Sequence, residues 1–302
     1  MRILITGATG FLGYHVVKQA LAQGHDVLCL KRKTSKNPFN DVENERITWF
    51  DFEDKDYKEV VARFAPEVLV HGAWGGVNAV DRNDEQLQIK NVEFSMFITR
   101  LYPYKQIISM GSQDEYGPID EIVEETHILN PITQYGKKKI EYCKLLTEYC
   151  RNNQIEMHWL RIFNMYGTMQ ASNWIIPAVM NRCLNGEKEM DTTKGEQKYA
   201  YLYAEDFGKA VVSMFGVKGV SGIYNISSSN PISLKELFNM IKKLTNSSIK
   251  FNYGAIPYRL GQSMMICGNA AKFKHTFGEF ENVSLEQGLK FLIKYLNDNE
   301  SF

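Results

Sequence analysis

Three glycines at three-residue spacing, set between a strand and a helix, constrain this chain more than any other feature. The stretch Ile3-Leu-Ile-Thr-Gly-Ala-Thr-Gly-Phe-Leu-Gly-Tyr-His-Val-Val17 opens on a mostly apolar, β-branched run over 2–6, as a buried parallel strand requires. Gly7, Gly10 and Gly13 follow, and Leu12, Val16, Val17, Ala20 and Leu21 then recur at helical intervals until Gly24. A strand that turns through glycines into a helix N-terminus makes a site for a pyrophosphate. Backbone N–H groups point at the anion, the helix dipole favours negative charge, and missing side chains allow close approach. Gly7, Thr9, Gly10, Phe11, Leu12 and Gly13 are the predicted cradle. The spacing is Gly-x-x-Gly-x-x-Gly, not the commoner Gly-x-Gly-x-x-Gly, and this selects a branch of the dinucleotide-binding folds.

The rest of the first half repeats the strand–helix rhythm. Val27–Leu30, Ile47–Phe50, Val68–His71, Gln106–Met110 and Ile155–Ile162 read as strands, and 10–23, 55–64, 81–101 and 135–151 as helices. Such alternation predicts an α/β fold with a doubly wound parallel sheet of Rossmann type. Beyond Tyr166 the elements become shorter and mixed, with Pro177, Pro231 and Pro257 marking loops. Ser233-Leu-Lys-Glu236 and Ser284-Leu-Glu-Gln287 read as capping-box helix starts. The expected division is a dinucleotide-binding domain over 1–165, with 196–226 partly returning to it, and a smaller mixed α/β substrate-binding lobe over 166–195 and 227–302. The return is expected to interleave with the sheet through Ala200–Val212.

Composition excludes several classes. Thirty-five basic and 35 acidic residues balance, so no global field points to nucleic acid or an anionic membrane. The five cysteines are odd in number, scattered and never in a Cys-x-x-Cys pair, and the six histidines show no His-x-x-x-His spacing. That pattern argues for a reducing compartment and against a disulfide framework or a metal site. A strand begins within two residues of Met1, leaving no room for a signal peptide, and no apolar run is long enough to span a bilayer. A cytoplasmic protein is expected.

Tyr135-Gly-Lys-Lys-Lys139 places a phenol and an ammonium one helical turn apart on one face. A nearby cation stabilises a phenolate, which suits proton exchange with an alcohol or ketone oxygen. A second Tyr-x-x-x-Lys, Tyr14–Lys18, lies inside the helix of the glycine turn and is read as chance. Gly111-Ser-Gln-Asp-Glu-Tyr-Gly117 leaves the carboxyl end of the strand 106–110, where ligands bind in open parallel sheets. Ser112 could there share the reacting oxygen with Tyr135.

With Gly7–Gly13, Ser112 and Tyr135/Lys139 in this order, the chain resembles the extended short-chain dehydrogenase/reductase family, also called the NAD-dependent epimerase/dehydratase family, nearly end to end. The resemblance implies an enzyme of nucleotide-sugar metabolism in which Ser112, Tyr135 and Lys139 are catalytic. It implies that Asp51 and Phe52 lie beside the adenine, that Ala73 and Trp74 belong to the turn under the nicotinamide ribose, and that Asn91 is the family's helix asparagine on the cofactor side. It places Trp74, Gln113, Asn164 and Arg259 at the substrate, the last two on its diphosphate. Gly195 to Asp206 and Gly222–Ile226 resemble the family's C-terminal substrate lobe. The resemblance also implies a homodimer packed through the helices 81–101 and 135–151, for which Phe94, Phe97, Ile98 and Leu101 are compatible.

Three departures matter. After the second strand, where relatives that prefer NAD carry an acidic residue, the chain reads Leu30-Lys-Arg-Lys33; Lys31 and Arg32 would attract a 2′-phosphate, so NADP(H) is favoured over NAD(H). Where 4,6-dehydratases place an Asp-Glu pair, the chain has Gln113 and Asp114, with Glu115 displaced by one. The arginine usual in the substrate lobe is Tyr199. The expected function is a 4-keto reductase acting on a 4-keto-6-deoxy nucleotide sugar. A 4-epimerase, a 4,6-dehydratase and a non-catalytic NADP(H)-binding regulator stay open as alternatives.

Overall fold

The computed structural model describes residues 1–39, 44–259 and 261–299. The chain runs through β1 (Arg2–Thr6), α1 (Phe11–Ala22), β2 (Asp26–Lys31), β3 (Ile47–Asp51), α2 (Tyr57–Phe64), β4 (Val68–His71), α3 (Glu85–Thr99) and β5 (Gln106–Met110). There follow β6 (Ile122–Val123), α4 (Gln134–Asn153), β7 (Glu156–Ile162), β8 (Asn164–Tyr166), α5 (Ile175–Leu184), β9 (Glu189–Thr192), β10 (Lys198–Tyr203) and α6 (Ala204–Ser213). The last third holds β11 (Gly222–Ile226), β12 (Pro231–Ser233), α7 (Leu234–Leu244), β13 (Lys250–Tyr253), β14 (Met265–Gly268), α8 (Ala271–Phe277) and α9 (Leu285–Asn299).

Seven parallel strands form the main sheet, in the order β11-β7-β5-β4-β1-β2-β3. Side chains on β1 alternate between its two covered faces. Ile3 and Ile5 pack with Val16 and Val17 of α1 and Phe207 and Val211 of α6, whereas Leu4 packs with Val92 and Ile98 of α3 and Leu146 of α4. Each such aliphatic side chain, fully buried, stabilises the fold by about 1.5–3 kcal/mol. The strand order reverses between β1 and β4, so a crevice opens beyond their carboxyl ends, next to the glycine turn.

A smaller mixed sheet, β12-β10-β14-β6 with β8 beside β10, forms the floor of the second lobe. The return of the chain to the main sheet starts at Ala204 rather than at Ala200. β10 stays in the small sheet, α6 lies against α1, and β11 forms the edge strand beside β7. Gly208 is what allows α6 this approach, since a Cβ there would lie 2.6 Å from the His15 carbonyl oxygen. Gly222–Ile226 is therefore part of the main parallel sheet, inside the segment 196–226 from which a partial return was expected.

The helix expected over 81–101 is divided. A 3-10 turn covers Asp81–Asn83, and α3 starts afresh at Glu85 because the Asp84 carboxylate accepts the Leu87 N–H at 3.0 Å. Both expected capping serines act as such: Ser233 and Glu236 bond reciprocally, and Ser284 accepts the Gln287 N–H. All five cysteines are free thiols and buried. Among the described residues no helix is long and apolar enough to cross a membrane, and no group of three acidic, histidine or cysteine side chains could hold a metal ion.

Candidate active site

The glycine turn is held by backbone proximity. Gly7 has φ +75°, and a Cβ on it would lie 2.7 Å from the Gly72 carbonyl carbon; a Cβ on Gly13 would lie 2.1 Å from the Gly7 oxygen. Gly10 is the N-cap of α1 and offers no side chain to the first-turn N–H groups, which leaves them directed at a ligand.

Two cavities meet at this turn. One, of about 380 Å³, is lined by Thr9, Lys31, Arg32, Phe52, Ala73 and Asn91 among others. The second, of about 340 Å³, is lined by Phe11, Leu12, Gly13, Ser112, Gln113, Tyr135, Lys139 and Asn164. Gly7, Gly10, Gly72 and Trp74 line both. The two cavities and the glycine turn between them could hold a dinucleotide, with the turn at its pyrophosphate and a cavity for each nucleoside.

Around Tyr135 the side chains are nearly closed off from solvent. Thr133 caps α4 by accepting the Gly136 N–H at 3.0 Å, and this presents Tyr135 and Lys139 to the cavity from the first two turns. Burial pushes the Tyr135 phenol above its ordinary range; the nearby Ser112 hydroxyl and the Arg82 guanidinium oppose that rise, and Asp114 and Glu115 add to it. Arg82 lies 5.4 Å from the phenol ring and Lys139 lies 5.7 Å from it. Arg82 is thus a second cation beside the phenol, one that the Tyr-x-x-x-Lys spacing did not indicate, and it favours the ionised form. The Lys139 ammonium donates to the Met110 carbonyl at 2.7 Å and is pulled down to about 7 by burial, against the raising influence of Glu115.

Ser112 is positioned by a lock behind it. It caps a 3-10 turn over Gln113–Glu115, where its hydroxyl accepts the Asp114 N–H at 3.2 Å and its own N–H donates to Glu115 Oε1 at 2.9 Å. Glu115 is fully buried and also accepts from Trp159 Nε1 and Arg161 Nε, both at 2.9 Å. Arg161 reaches on to the Tyr116 hydroxyl, which donates to Asn225 on β11. Gly111 must be glycine here, since a Cβ would lie 2.2 Å from Trp159 Nε1. With its carboxylate saturated on this side, Glu115 is not directed at the cavity, and the Asp-Glu pair of a dehydratase is not assembled. Asp114 lines the cavity, but its carboxylate is engaged by Arg82 at 2.8 Å.

Several expected residues have other partners. Lys31 and Arg32 both line the cofactor-side cavity; the Lys31 ammonium is paired with Asp51, which is not among the cavity-lining residues. Asn91 lines the cofactor-side cavity while its amide holds both backbone groups of Gly75. Arg259 is exposed, near Tyr199 and outside the lining of either cavity. In the second Tyr-x-x-x-Lys, Tyr14 stacks on Phe39 at 4.9 Å and Lys18 pairs with Glu205, away from the site. Sequence reasoning missed Arg82, Tyr201, Gln170 and Trp174, all of which line the Tyr135 cavity. The Tyr201 hydroxyl and the Gln170 amide oxygen are buried with no protein partner, ready for a polar ligand. Nothing in their spacing marks them: Tyr201 reaches the site because β10 pairs with β8 in the register Tyr201 to Asn164.

The pattern of the NAD dependent epimerase/dehydratase family matches residues 3–227. The CDP-abequose synthase of Salmonella muenchen is 26% identical over 97% of this chain and 97% of its own length. The dTDP-6-deoxy-L-talose 4-dehydrogenase (NAD(+)) of Aggregatibacter actinomycetemcomitans is 25% identical over 89% of this chain and 99% of its own. A UDP-glucose 4-epimerase of Thermotoga maritima, solved with UDP-glucose, superposes with a TM-score of 0.85 over 99% of this chain and 100% of its own, at 23% identity. This chain belongs to the NAD dependent epimerase/dehydratase family, the nucleotide-sugar modifying enzymes of extended short-chain dehydrogenase/reductase type.

Proposed function

We propose that this member of the epimerase/dehydratase family is a nucleotide-sugar 4-keto reductase that uses NADP(H) on a 4-keto-6-deoxy sugar. The observation that carries the reading is the buried, protonated Tyr135 phenol in one cavity with Ser112, with no free carboxylate pair beside it. A keto oxygen placed at these two hydroxyls would receive the Tyr135 proton as its charge develops, while Ser112 donates a hydrogen bond to the same oxygen. Lys139, by resemblance, would hold the nicotinamide ribose. Bound NADP(H) supplies the hydride. Elimination of water across the sugar ring needs an additional acid and base. Glu115 is fully engaged by Arg161, Trp159 and Ser112, and Asp114 by Arg82, so dehydration is disfavoured.

Asn164 and Gln113 line the sugar end, where the free hydroxyl of Tyr201 joins them. The Aggregatibacter relative, named as a 4-dehydrogenase of a 6-deoxy nucleotide sugar, supports redox chemistry at that carbon. NADP(H) is favoured because Arg32 and Lys31 stand on the cofactor-side wall and the Asp51 carboxylate is paired with Lys31. A homodimer across α3 and α4 is supported by a groove between them where Phe97 and Leu145 are exposed; Ile98 is buried inward and Phe94 faces the cofactor side, so neither belongs to that surface.

The test is incubation with NADPH and a panel of 4-keto-6-deoxy nucleotide sugars, following NADPH absorbance and product stereochemistry. Net reduction is expected, and Tyr135→Phe should lower it about 10²–10⁴-fold with NADPH binding retained. Interconversion of 4-hydroxy epimers without added cofactor would replace the reading by an epimerase. NADPH binding with no turnover on any sugar would point to a regulator.

A further inference from the structure

Trp74 has its indole face 3.7 Å from the Lys139 ammonium, on the line where the two cavities meet. The ring is fixed on three sides. Its Nε1–H donates to Gln88 Oε1 at 2.8 Å. Gln88, fully buried on α3, donates to the Gly76 and Asp81 carbonyls, and Asn91 donates to the same Gln88 oxygen at 3.2 Å. Tyr135 and Tyr142 also flank the ring, each with its centroid 6.2 Å away. Gly72, two residues before it, packs close to Met110, whose Sδ would lie 2.7 Å from a Cβ there.

Lys139 thus has one N–H on the Met110 carbonyl and a π-face alongside, and it lines the catalytic cavity itself. The charged and titratable groups around it are few. Glu115 faces it from the turn after β5, but that carboxylate is shared with Arg161; His71 approaches from β4, and Tyr135 from its own helix, with Arg82 and Asp114 beyond the phenol. A buried ammonium with so little anionic support loses its proton easily. A desolvated aromatic face offsets part of that loss, since the ring quadrupole attracts the cation.

We propose that Trp74 is a positioning residue for Lys139: its Gln88-anchored indole face keeps the ammonium charged and aimed at the nicotinamide-ribose side of the cavity. This rests on the dinucleotide-site reading, and deepens it by assigning the residue that maintains the lysine in its working state.

The experiment measures NADPH affinity, by quenching of cofactor fluorescence, from acid to alkaline pH in the wild-type protein, Trp74→Leu, Trp74→Phe and Gln88→Leu. Affinity falls as pH rises through Lys139 deprotonation. Trp74→Leu is expected to move this limb about one pH unit lower, so that affinity near pH 7.5, taken relative to the same variant's affinity in acid, drops about five- to tenfold further. Trp74→Phe, which keeps a π-face, retains the wild-type limb, and Gln88→Leu, which keeps the indole but frees its edge, gives a smaller shift of the same sign. An unmoved limb in Trp74→Leu overturns the proposal, and so does an equal shift in Trp74→Phe. Because the readout is binding, a protein inactive on every keto sugar would sink the reductase reading alone. A failure of NADPH to bind to the wild-type protein would sink both.

Discussion

Replacing Glu115 with Gln separates a structural carboxylate from a catalytic one. In the native protein the Glu115 carboxylate accepts from the Ser112 N–H, Trp159 Nε1–H and Arg161 Nε–H, each at 2.9 Å, with Glu115 and Arg161 almost fully buried. Gln keeps the size and one acceptor, so the bonds from Ser112 and Trp159 can persist. Its amide NH₂ must then face the Arg161 donor, leaving a buried guanidinium without a counter-charge. Breaking one side of a buried pair costs about 3–5 kcal/mol. At about 2–4 °C per kcal/mol for a chain of this size class, the thermal midpoint should fall by roughly 6–20 °C. Turnover of the surviving folded enzyme at low temperature should change less than about tenfold, because Ser112 keeps its cap. The double variant Glu115→Gln/Arg161→Met removes the stranded charge and should recover at least half of the lost stability. Paired melting curves and initial rates decide the matter. A variant with wild-type stability and no turnover would mean that Glu115 moves protons for the reaction and that the lock behind Ser112 has been misread.

Three further outcomes are expected. Arg32→Ala should weaken NADPH about tenfold or more and leave NADH within about twofold, measured by cofactor fluorescence, since one guanidinium–phosphate contact is lost; equal losses for both would remove the 2′-phosphate assignment. Gly13→Ala forces a Cβ to within 2.1 Å of the Gly7 oxygen, so the turn must open; stability should fall by about 1–3 kcal/mol in urea titrations, and affinity for both cofactors should collapse. Burial lowers His71 to about 3, and His15 and His158 to about 4, so these imidazoles stay neutral in the folded protein. Unfolded chains take up these protons near pH 6.5 while the native state does not, so the histidine contribution to stability should be flat above that pH and fall between pH 6.5 and 4, by up to about 1.4 kcal/mol per pH unit for each histidine. Urea midpoints that stay constant over that window would contradict the buried neutral state.

How much of this was legible in the one-dimensional chain follows from the range of the interactions. The strand–turn–helix at 2–22 is local: its apolar run, glycine spacing and helical periodicity lie within one short segment, and the structure has them where the spacing puts them. The Tyr135/Lys139 pair is local too, because four residues on a helix always share a face. The alternating strands were sufficient for a parallel sheet, since each βα unit must bury its strand on both sides. Partners distant in sequence were not legible. Lys31 and Arg32 read as equivalent charges until the β2–β3 register set Lys31 beside Asp51. Glu115 reads as a displaced catalytic acid until β5 and β7 bring Trp159 and Arg161 to it.

The glycine turn, the helical Tyr–Lys pair and the strand rhythm were determined by the sequence alone, because their physics is that of neighbouring residues: backbone sterics, helical pitch and alternating burial. Tertiary structure alone decided which charges are spent and which are free. A carboxylate or an ammonium does the work that its surroundings leave to it, and those surroundings come from strands and helices tens of residues apart. That is why Arg82 could emerge beside the phenol, why Tyr201 could meet Asn164, and why Trp74 could close over Lys139.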